Sequence, residues 1–136
     1  MSMSRTNDPI YGTVNKIIDG ASFNIIQNDT FIDVVVTLYC LQPSTDPLYA
    51  NISKEALSKL ILNKVVKTIT ICSPKGCDGA EVFVNEMNIG KELIEKGYAN
   101  SDNRKCRDRK YNELARKAKR NKIGIWSDEE RMKRDL

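Results

Sequence analysis

The chain has 136 residues, of which 40% are hydrophobic and 29% charged, values typical of a single globular domain. This composition excludes a collagen-like, mucin-like or wholly disordered chain, and no apolar run reaches the roughly 18 residues that a membrane-spanning helix requires. The polar N-terminus, Met1 to Pro9, lacks the apolar segment of a secretory signal. We therefore expect an intracellular protein that does not contact membranes.

Positive charge is concentrated near the C-terminus. Lys and Arg number 22 against 18 Asp and Glu, a net charge of +4. Residues 104–122 carry ten basic and two acidic side chains, so this segment is +8 and the remainder of the chain is −4. Two interpretations stay open: a surface that binds a polyanion, or a solvated helix face.

The chain contains no histidine, the commonest general base near neutral pH and the commonest metal ligand. Cys72 and Cys77 form a C-x4-C pair, but Cys40 and Cys106 are far apart in sequence and supply no second pair for a zinc site. In an intracellular chain we expect four free thiols, no bound metal and no cofactor.

The first half of the chain predicts three consecutive β-strands joined by tight turns at residues 19–20 and 28–29. The predicted strands are Ile10–Ile18, Ser22–Gln27 and Phe31–Leu41. Pro43 and Pro47 lack the backbone N–H that a strand ladder needs, so residues 42–50 are predicted to be a loop.

The second half predicts a helix, two strands and two further helices. The helices fall at about 54–63, with Ser53 as the N-cap, at 89–96 and at 105–121, and the strands at 65–72 and 80–84. In the last helix Tyr111, Leu114 and Ala118 share an apolar stripe, and the basic residues lie on the opposite arc. The only tryptophan, Trp126, follows this helix and is expected to be buried.

Three segments in this order resemble the staphylococcal-nuclease-like family. They are GTVNKIIDGAS at residues 12–22, ELIEKGYA at 92–99 and LARKAKRNKIGIWSD at 114–128. The resemblance implies an α+β fold, a five-stranded OB-fold barrel with three helices. It also implies one domain over residues 10–128, flanked by a flexible N-terminus (1–9) and a charged tail (129–136).

The resemblance also locates the catalytic positions, where family enzymes place two aspartates on calcium, a glutamate near the attacking water and two arginines on the phosphate. The positions that match are occupied here by residues that cannot perform those roles. They are Ala21, Val36 (or Thr37, if the register shifts by one residue), Leu41, Ser44 and Cys77. Asp19, which precedes the first turn, is expected to shape that turn. We therefore expect no nuclease activity.

Three functions follow from these observations. The first is an inactive domain that binds nucleic acid, single-stranded RNA or DNA, as in the non-catalytic domains of Tudor staphylococcal nuclease proteins. The expected contacts are Lys105, Arg109, Lys110, Arg116, Lys117 and Arg120, with Tyr39 and Tyr49 as exposed aromatics, whereas Phe23 and Phe31 are expected in the core. The second is a protein-interaction scaffold in an RNA pathway that uses the loop Pro43–Asn51. The third, a divergent calcium-dependent nuclease, rests on the fold alone.

Overall fold

The computed structural model describes residues 4–5, 9–102, 104, 106 and 108–127. The strands in this part of the chain are β1 (Ser4–Arg5), β2 (Ile10–Ile17), β3 (Ser22–Gln27), β4 (Asp33–Thr37), β5 (Leu41–Gln42), β6 (Val65–Ser73), β7 (Gly76–Val84), β8 (Met87–Asn88) and β9 (Asn100–Ser101). The helices are α1 (Pro47–Ile61), α2 (Ile89–Glu95) and α3 (Arg109–Arg120), followed by a 3-10 turn at Gly124–Trp126.

The main sheet runs β4-β3-β2-β6-β7-β8 with antiparallel neighbours, and β1 pairs with β6. The sheet curls until the end of β4 meets β7 at an isolated parallel bridge between Leu38 and Ala80, where the Tyr39 N–H donates to the Ala80 carbonyl at 2.9 Å. The predicted α+β fold with three helices is confirmed, but the described strands form a curled, OB-like sheet and not a closed barrel.

The inner face of this sheet supplies the core. Phe23, Ile25 and Val82 are fully buried, as strand alternation predicts. Phe31 was expected beside them and this prediction is wrong, because its side chain is 78% exposed. The Phe31 N–H donates to the Gln27 carbonyl and the φ of Phe31 is 57°, so this residue belongs to the turn before β4.

Helix α1 begins seven residues earlier than the predicted start at residue 54. Asp46 is the N-cap, its Oδ1 accepting from the Leu48 N–H at 3.0 Å, and Pro47 follows at the first helical position. The prediction of a loop over 42–50 with Ser53 as the N-cap is therefore wrong. Ser53 lies inside the helix, buried, and its hydroxyl donates to the Tyr98 carbonyl.

Helix α3 and the turn after it close the structure. The N-cap is Asp108, which accepts from the Lys110 N–H at 3.0 Å, so α3 is shorter than the predicted helix from 105 to 121. After α3 the chain crosses the end of α2: Gly97 and Gly124 both have positive φ, and a Cβ on either would overlap the backbone of the other. The Ile125 N–H donates to the Gly97 carbonyl at 2.8 Å.

The 3-10 turn buries its isoleucine fully and its tryptophan in part. Ile125 is 3% exposed, whereas Trp126 is only partly buried and has the Lys119 ammonium 4.9 Å from its ring centroid. The prediction that Trp126 is buried is therefore confirmed only in part. Ile125 is the residue that anchors this turn in the core.

All four cysteines are paired, so the prediction of free thiols is also wrong. Cys72 and Cys77 lie opposite each other in the β6–β7 ladder and form one disulfide, with their Cα atoms 3.9 Å apart. Cys40 and Cys106 form the other, with a Cα–Cα distance of 5.0 Å. The β5–β9 pairing explains how residues so distant in sequence meet, since the Asp102 N–H donates to the Cys40 carbonyl.

Candidate nucleic-acid interface

Five exposed cationic side chains on α3 form a surface that we call the basic ridge. Tyr111, Ala115 and Ala118 fix one side of α3 in the core, which leaves the basic residues on the solvent side. The ridge consists of Arg109, Lys110, Arg116, Lys117 and Arg120, all exposed. Lys105, which was also predicted, lies outside the described residues. The row from Arg109 to Arg120 spans about 16 Å of helix axis.

Helix α2 adds one cation that the sequence analysis did not include. Lys91 lines a shallow depression of about 330 Å³ together with Lys110, Leu114 and Lys117, and Glu113 supplies the acid at this position. The Lys91 ammonium also lies 5.3 Å from the centroid of the buried Tyr111 ring. Helical periodicity places Lys91 away from the buried Ile89 and Leu93, but no sequence signal shows that α2 packs beside α3.

The structure brings three of the five positions matched to the family's catalytic residues into one groove of about 600 Å³. Val36, on β4, and Leu41, on β5, are buried apolar side chains at this groove, and Cys77, on β7, is tied up in its disulfide. None of these three can hold a cation or contact a phosphate as a charged group.

The other two positions have structural roles. Ala21 is buried, and its N–H donates to Asp19 Oδ1 at 2.8 Å, which confirms that Asp19 shapes the turn between β2 and β3. Ser44 lies outside the groove, and its Oγ accepts from the Asp46 N–H at 3.2 Å ahead of α1. Both positions therefore contribute to local backbone structure.

Among the described residues, no other carboxylates gather at the positions matched to the family's catalytic acids. Of the described residues that line the groove, Asp78 and Asp102 are the ionisable acids. Asp46 caps α1 and Glu81 is buried elsewhere, and no group of three or more acids or cysteines among the described residues could hold a metal ion. The residues present therefore do not fit the calcium ion of the family's enzymes, because hard cations need several oxygen ligands.

The two predicted surface tyrosines are not exposed platforms. Tyr39 is only 6% exposed and packs edge-to-face on Tyr111, with ring centroids 5.4 Å apart, so its predicted exposure is wrong. Burial raises the pKa of the Tyr39 phenol, and the negative charges of Asp108, Glu81 and Asp78 raise it further. Tyr49 is half-buried and lies on α1, not on the helix that carries the ridge.

A buried polar network beneath the ridge fixes the orientation of α3. The Tyr111 hydroxyl donates to Glu81 Oε2 at 2.8 Å and accepts from the Asn88 amide at 3.1 Å, while Asn88 Oδ1 caps α2 by accepting from the Lys91 N–H. Burial raises the pKa of Tyr111 well above its ordinary value, so the phenol stays neutral. The network therefore joins β7, α2 and α3 through hydrogen bonds.

The region predicted as a protein-contact loop is only partly a loop. Residues 43–46 connect β5 to α1, but Pro47–Asn51 belong to the first turns of the helix, because Asp46 and Pro47 form a helix start. Leu48 is exposed, and Pro43, Pro47 and Ala50 border a depression of about 350 Å³. This surface remains available for a partner.

Comparison with known proteins agrees with this architecture. The family model described as staphylococcal nuclease homologue matches residues 37–128, more than half of the chain. The chain therefore belongs to the staphylococcal nuclease homologue family. A search of curated proteins found no significant match. Within the described residues, no helix is both long and apolar enough to cross a membrane.

Proposed function

We propose that this protein is a nucleic-acid-binding member of its family that does not cleave its ligand, and that the ligand is single-stranded RNA. The observation that carries the proposal is the basic ridge, with five exposed cations on one side of α3. The family membership is compatible with nucleic-acid binding, and the resemblance to the non-catalytic domains of Tudor staphylococcal nuclease proteins supplies the choice of RNA.

The position of the ridge supports contact with a phosphate backbone. Arg109, Arg116 and Arg120 lie opposite the buried stripe of α3, and Lys110 and Lys117 lie on the flank that faces Lys91. Exposed arginines in a row suit phosphate oxygens, because each guanidinium presents several N–H donors. The groove is less suitable for phosphate, since its ionisable acids are Asp78 and Asp102.

A salt titration tests the proposal. The fluorescence anisotropy of a labelled single-stranded RNA is measured against protein concentration at several salt concentrations. Each phosphate contact contributes about 0.7 to the log–log salt slope, so replacing Arg109, Arg116 and Arg120 by alanine should lower the slope by about 2. A matched control replaces Lys54 and Lys59 on α1 and Lys75 in the β6–β7 turn by alanine, three exposed lysines outside α3, and should leave the slope unchanged.

Two results would contradict the proposal that the basic ridge binds the RNA. The triple arginine variant could keep the affinity and slope of the unchanged protein, or the control variant could lose as much affinity as the arginine variant. The same titration with single-stranded DNA of equal length distinguishes RNA from DNA. In both variants the melting temperature should stay within about 3 °C, because surface substitutions change stability by only a few tenths of a kcal/mol.

The absence of cleavage is tested separately. Incubating the protein with single-stranded RNA or DNA and calcium, magnesium or manganese should release no acid-soluble nucleotides, because Val36, Leu41 and Cys77 offer no charged group at the expected positions. Metal-dependent cleavage that co-purifies with the chain through a further column would restore the hypothesis of a divergent nuclease.

A protein-interaction scaffold is the second candidate. The exposed Leu48 and the depression beside Pro43 favour it, since an apolar side chain on a helix start can anchor a partner. Binding to a protein partner that is lost on Leu48→Asp, together with salt-insensitive and negligible RNA binding, would favour this function over the first.

The two disulfides bear on where the protein works. Cytosolic and nuclear thiols are kept reduced, whereas disulfides persist in oxidising compartments. With Cys40–Cys106 and Cys72–Cys77 both formed, an oxidising compartment is favoured over the expected intracellular location. Thiol labelling of protein isolated from its native source distinguishes the two.

A further inference from the structure

The groove of about 600 Å³ described above lies between two strands of the curled sheet that do not pair along their length. One side is β4, from Val34 to Thr37, and the other is residues 77–80 of β7. The two sides converge at the bridge between Leu38 and Ala80 and at Thr37, whose carbonyl lies against Gly79, and no other strand pairing joins them among the described residues. The floor consists of Ile10, Thr68 and Thr70. A volume of about 600 Å³ is large enough for several residues of a bound segment.

Strand β4 offers backbone hydrogen bonds to this groove. The Leu38 N–H donates to the Ala21 carbonyl on the β3 side, and antiparallel pairing alternates, so Val36 and Val34 also bond to β3. The N–H and C=O of Val35 then face the groove. Residues 33–37 read Asp-Val-Val-Val-Thr, without the lysine or proline that commonly protects an edge strand.

The charge at the groove selects the kind of ligand. Asp78 is exposed at the β7 side and Asp102 is half-buried near β9, and they are the carboxyl side chains among the described residues that line the groove. Two carboxylates repel a phosphate backbone and attract cations. Alternate residues of an added strand would face Val34, Val36 and Ile10, which suit small apolar side chains.

We propose that the groove binds an extended, positively charged segment of a protein partner, which adds a strand to the free edge of β4. In this binding mode the main chain of the segment supplies hydrogen bonds, and its alternating apolar and basic side chains supply specificity. The site is separate from the basic ridge, so the proposal does not depend on RNA binding.

A peptide titration tests the proposal. The probe is a fluorescein-labelled peptide of about eight residues that alternates lysine and valine, followed by fluorescence anisotropy with the oxidised full chain. Val35→Pro removes the N–H that faces the groove and places a ring in the path of the added strand, and it should weaken binding by about tenfold or more. Val35→Thr keeps the N–H and should bind like the unchanged protein.

The charge and backbone requirements are tested with other probes, which keep the proposal testable even if Val35→Pro does not fold. A peptide that alternates glutamate and valine should bind about tenfold more weakly, and so should the lysine peptide to Asp78→Asn/Asp102→Asn. The Arg104 N–H donates to Asp102 Oδ1, and an asparagine at position 102 keeps an oxygen that can accept this hydrogen bond. Methylating alternate amides of the lysine peptide should abolish binding, since these N–H groups form the added ladder.

Several results would overturn the proposal: no saturable binding up to about 1 mM peptide, equal binding of the two peptides, or equal binding by folded Val35→Pro. Displacement of the lysine peptide by single-stranded RNA from a protein that lacks the ridge arginines would also overturn it, because the groove would then be a nucleic-acid site. Failure of RNA binding at the ridge would leave the peptide result unaffected.

Discussion

Changing Cys40 and Cys106 together to alanine removes the disulfide that closes the longer loop of the chain. The two cysteines are 66 residues apart, whereas Cys72 and Cys77 are separated by 5. If a disulfide acts by restricting the unfolded chain, the longer loop contributes about 4 kcal/mol to the free energy of unfolding and the shorter about 2 kcal/mol. The loss of about 4 kcal/mol should lower Tm by about 15 °C for a chain of this size.

Urea denaturation followed by Trp126 fluorescence measures these losses, because Trp126 is the only tryptophan. Cys72→Ala/Cys77→Ala is the matched control, with the smaller expected loss. A reductant should bring the unchanged protein to the stability of the variant that lacks all four cysteines, within about 1 kcal/mol. The reasoning is refuted if the two double variants lose equal stability, or if the unreduced protein has four reactive thiols.

Three further predictions concern the α2–α3 region. Gly124→Ala should destabilise the fold by about 2–4 kcal/mol in urea denaturation, because φ is 62° at this position and a Cβ would overlap the backbone of Gly97. A neutral effect would contradict the close backbone contact of Gly97 and Gly124. Ile125→Ala should cost about 3 kcal/mol and Trp126→Ala about 1–2 kcal/mol, and the reverse order would show that the tryptophan is the anchor. Burial raises the pKa of Tyr111, so only the unfolded chain ionises this phenol near its ordinary pKa of 10.0. The free energy of unfolding should therefore fall as pH rises above about 10, and Tyr111→Phe should make it less dependent on pH.

Elements governed by local periodicity could be predicted from the sequence. The predicted limits of the strand Ser22–Gln27, which is β3, agree with the structure. Tyr111 and Ala118 are buried on one side of α3, as their helical spacing predicted. The helix predicted over residues 89–96 ends within one residue of the observed end at Glu95, and the positive φ of Gly97 just after it favours glycine. In these cases a few neighbouring residues determine the structure.

Features that depend on tertiary contacts were missed. Cys40 meets Cys106 only because β5 and β9 pair, and neither two-residue strand has a recognisable pattern of its own. The start of α1 was missed for another reason: two prolines near residue 45 were interpreted as loop signals, although Asp46-Pro47 also favours a helix start. One local sequence signal was compatible with two structures.

The candidate site divides in the same way. The ridge was predicted because charge and helical spacing are visible in the sequence, whereas Lys91 joins it only through the packing of α2 beside α3. Leu41 and Val36 were predicted to occupy two of the catalytic positions because the resemblance aligned them there. The groove that these residues share depends on how far the sheet curls, which no short segment determines.

Helix α3 is held at both of its ends. Before the helix, Cys106 is covalently joined to Cys40, and after it the crossing of Gly97 and Gly124 holds the chain against α2. Because both ends are restrained, α3 cannot pivot as a unit, and the backbone holds its arginines at fixed intervals before a ligand binds. A ligand that matches those intervals loses little affinity to ordering the protein backbone, and one with another spacing cannot recruit the helix by bending it.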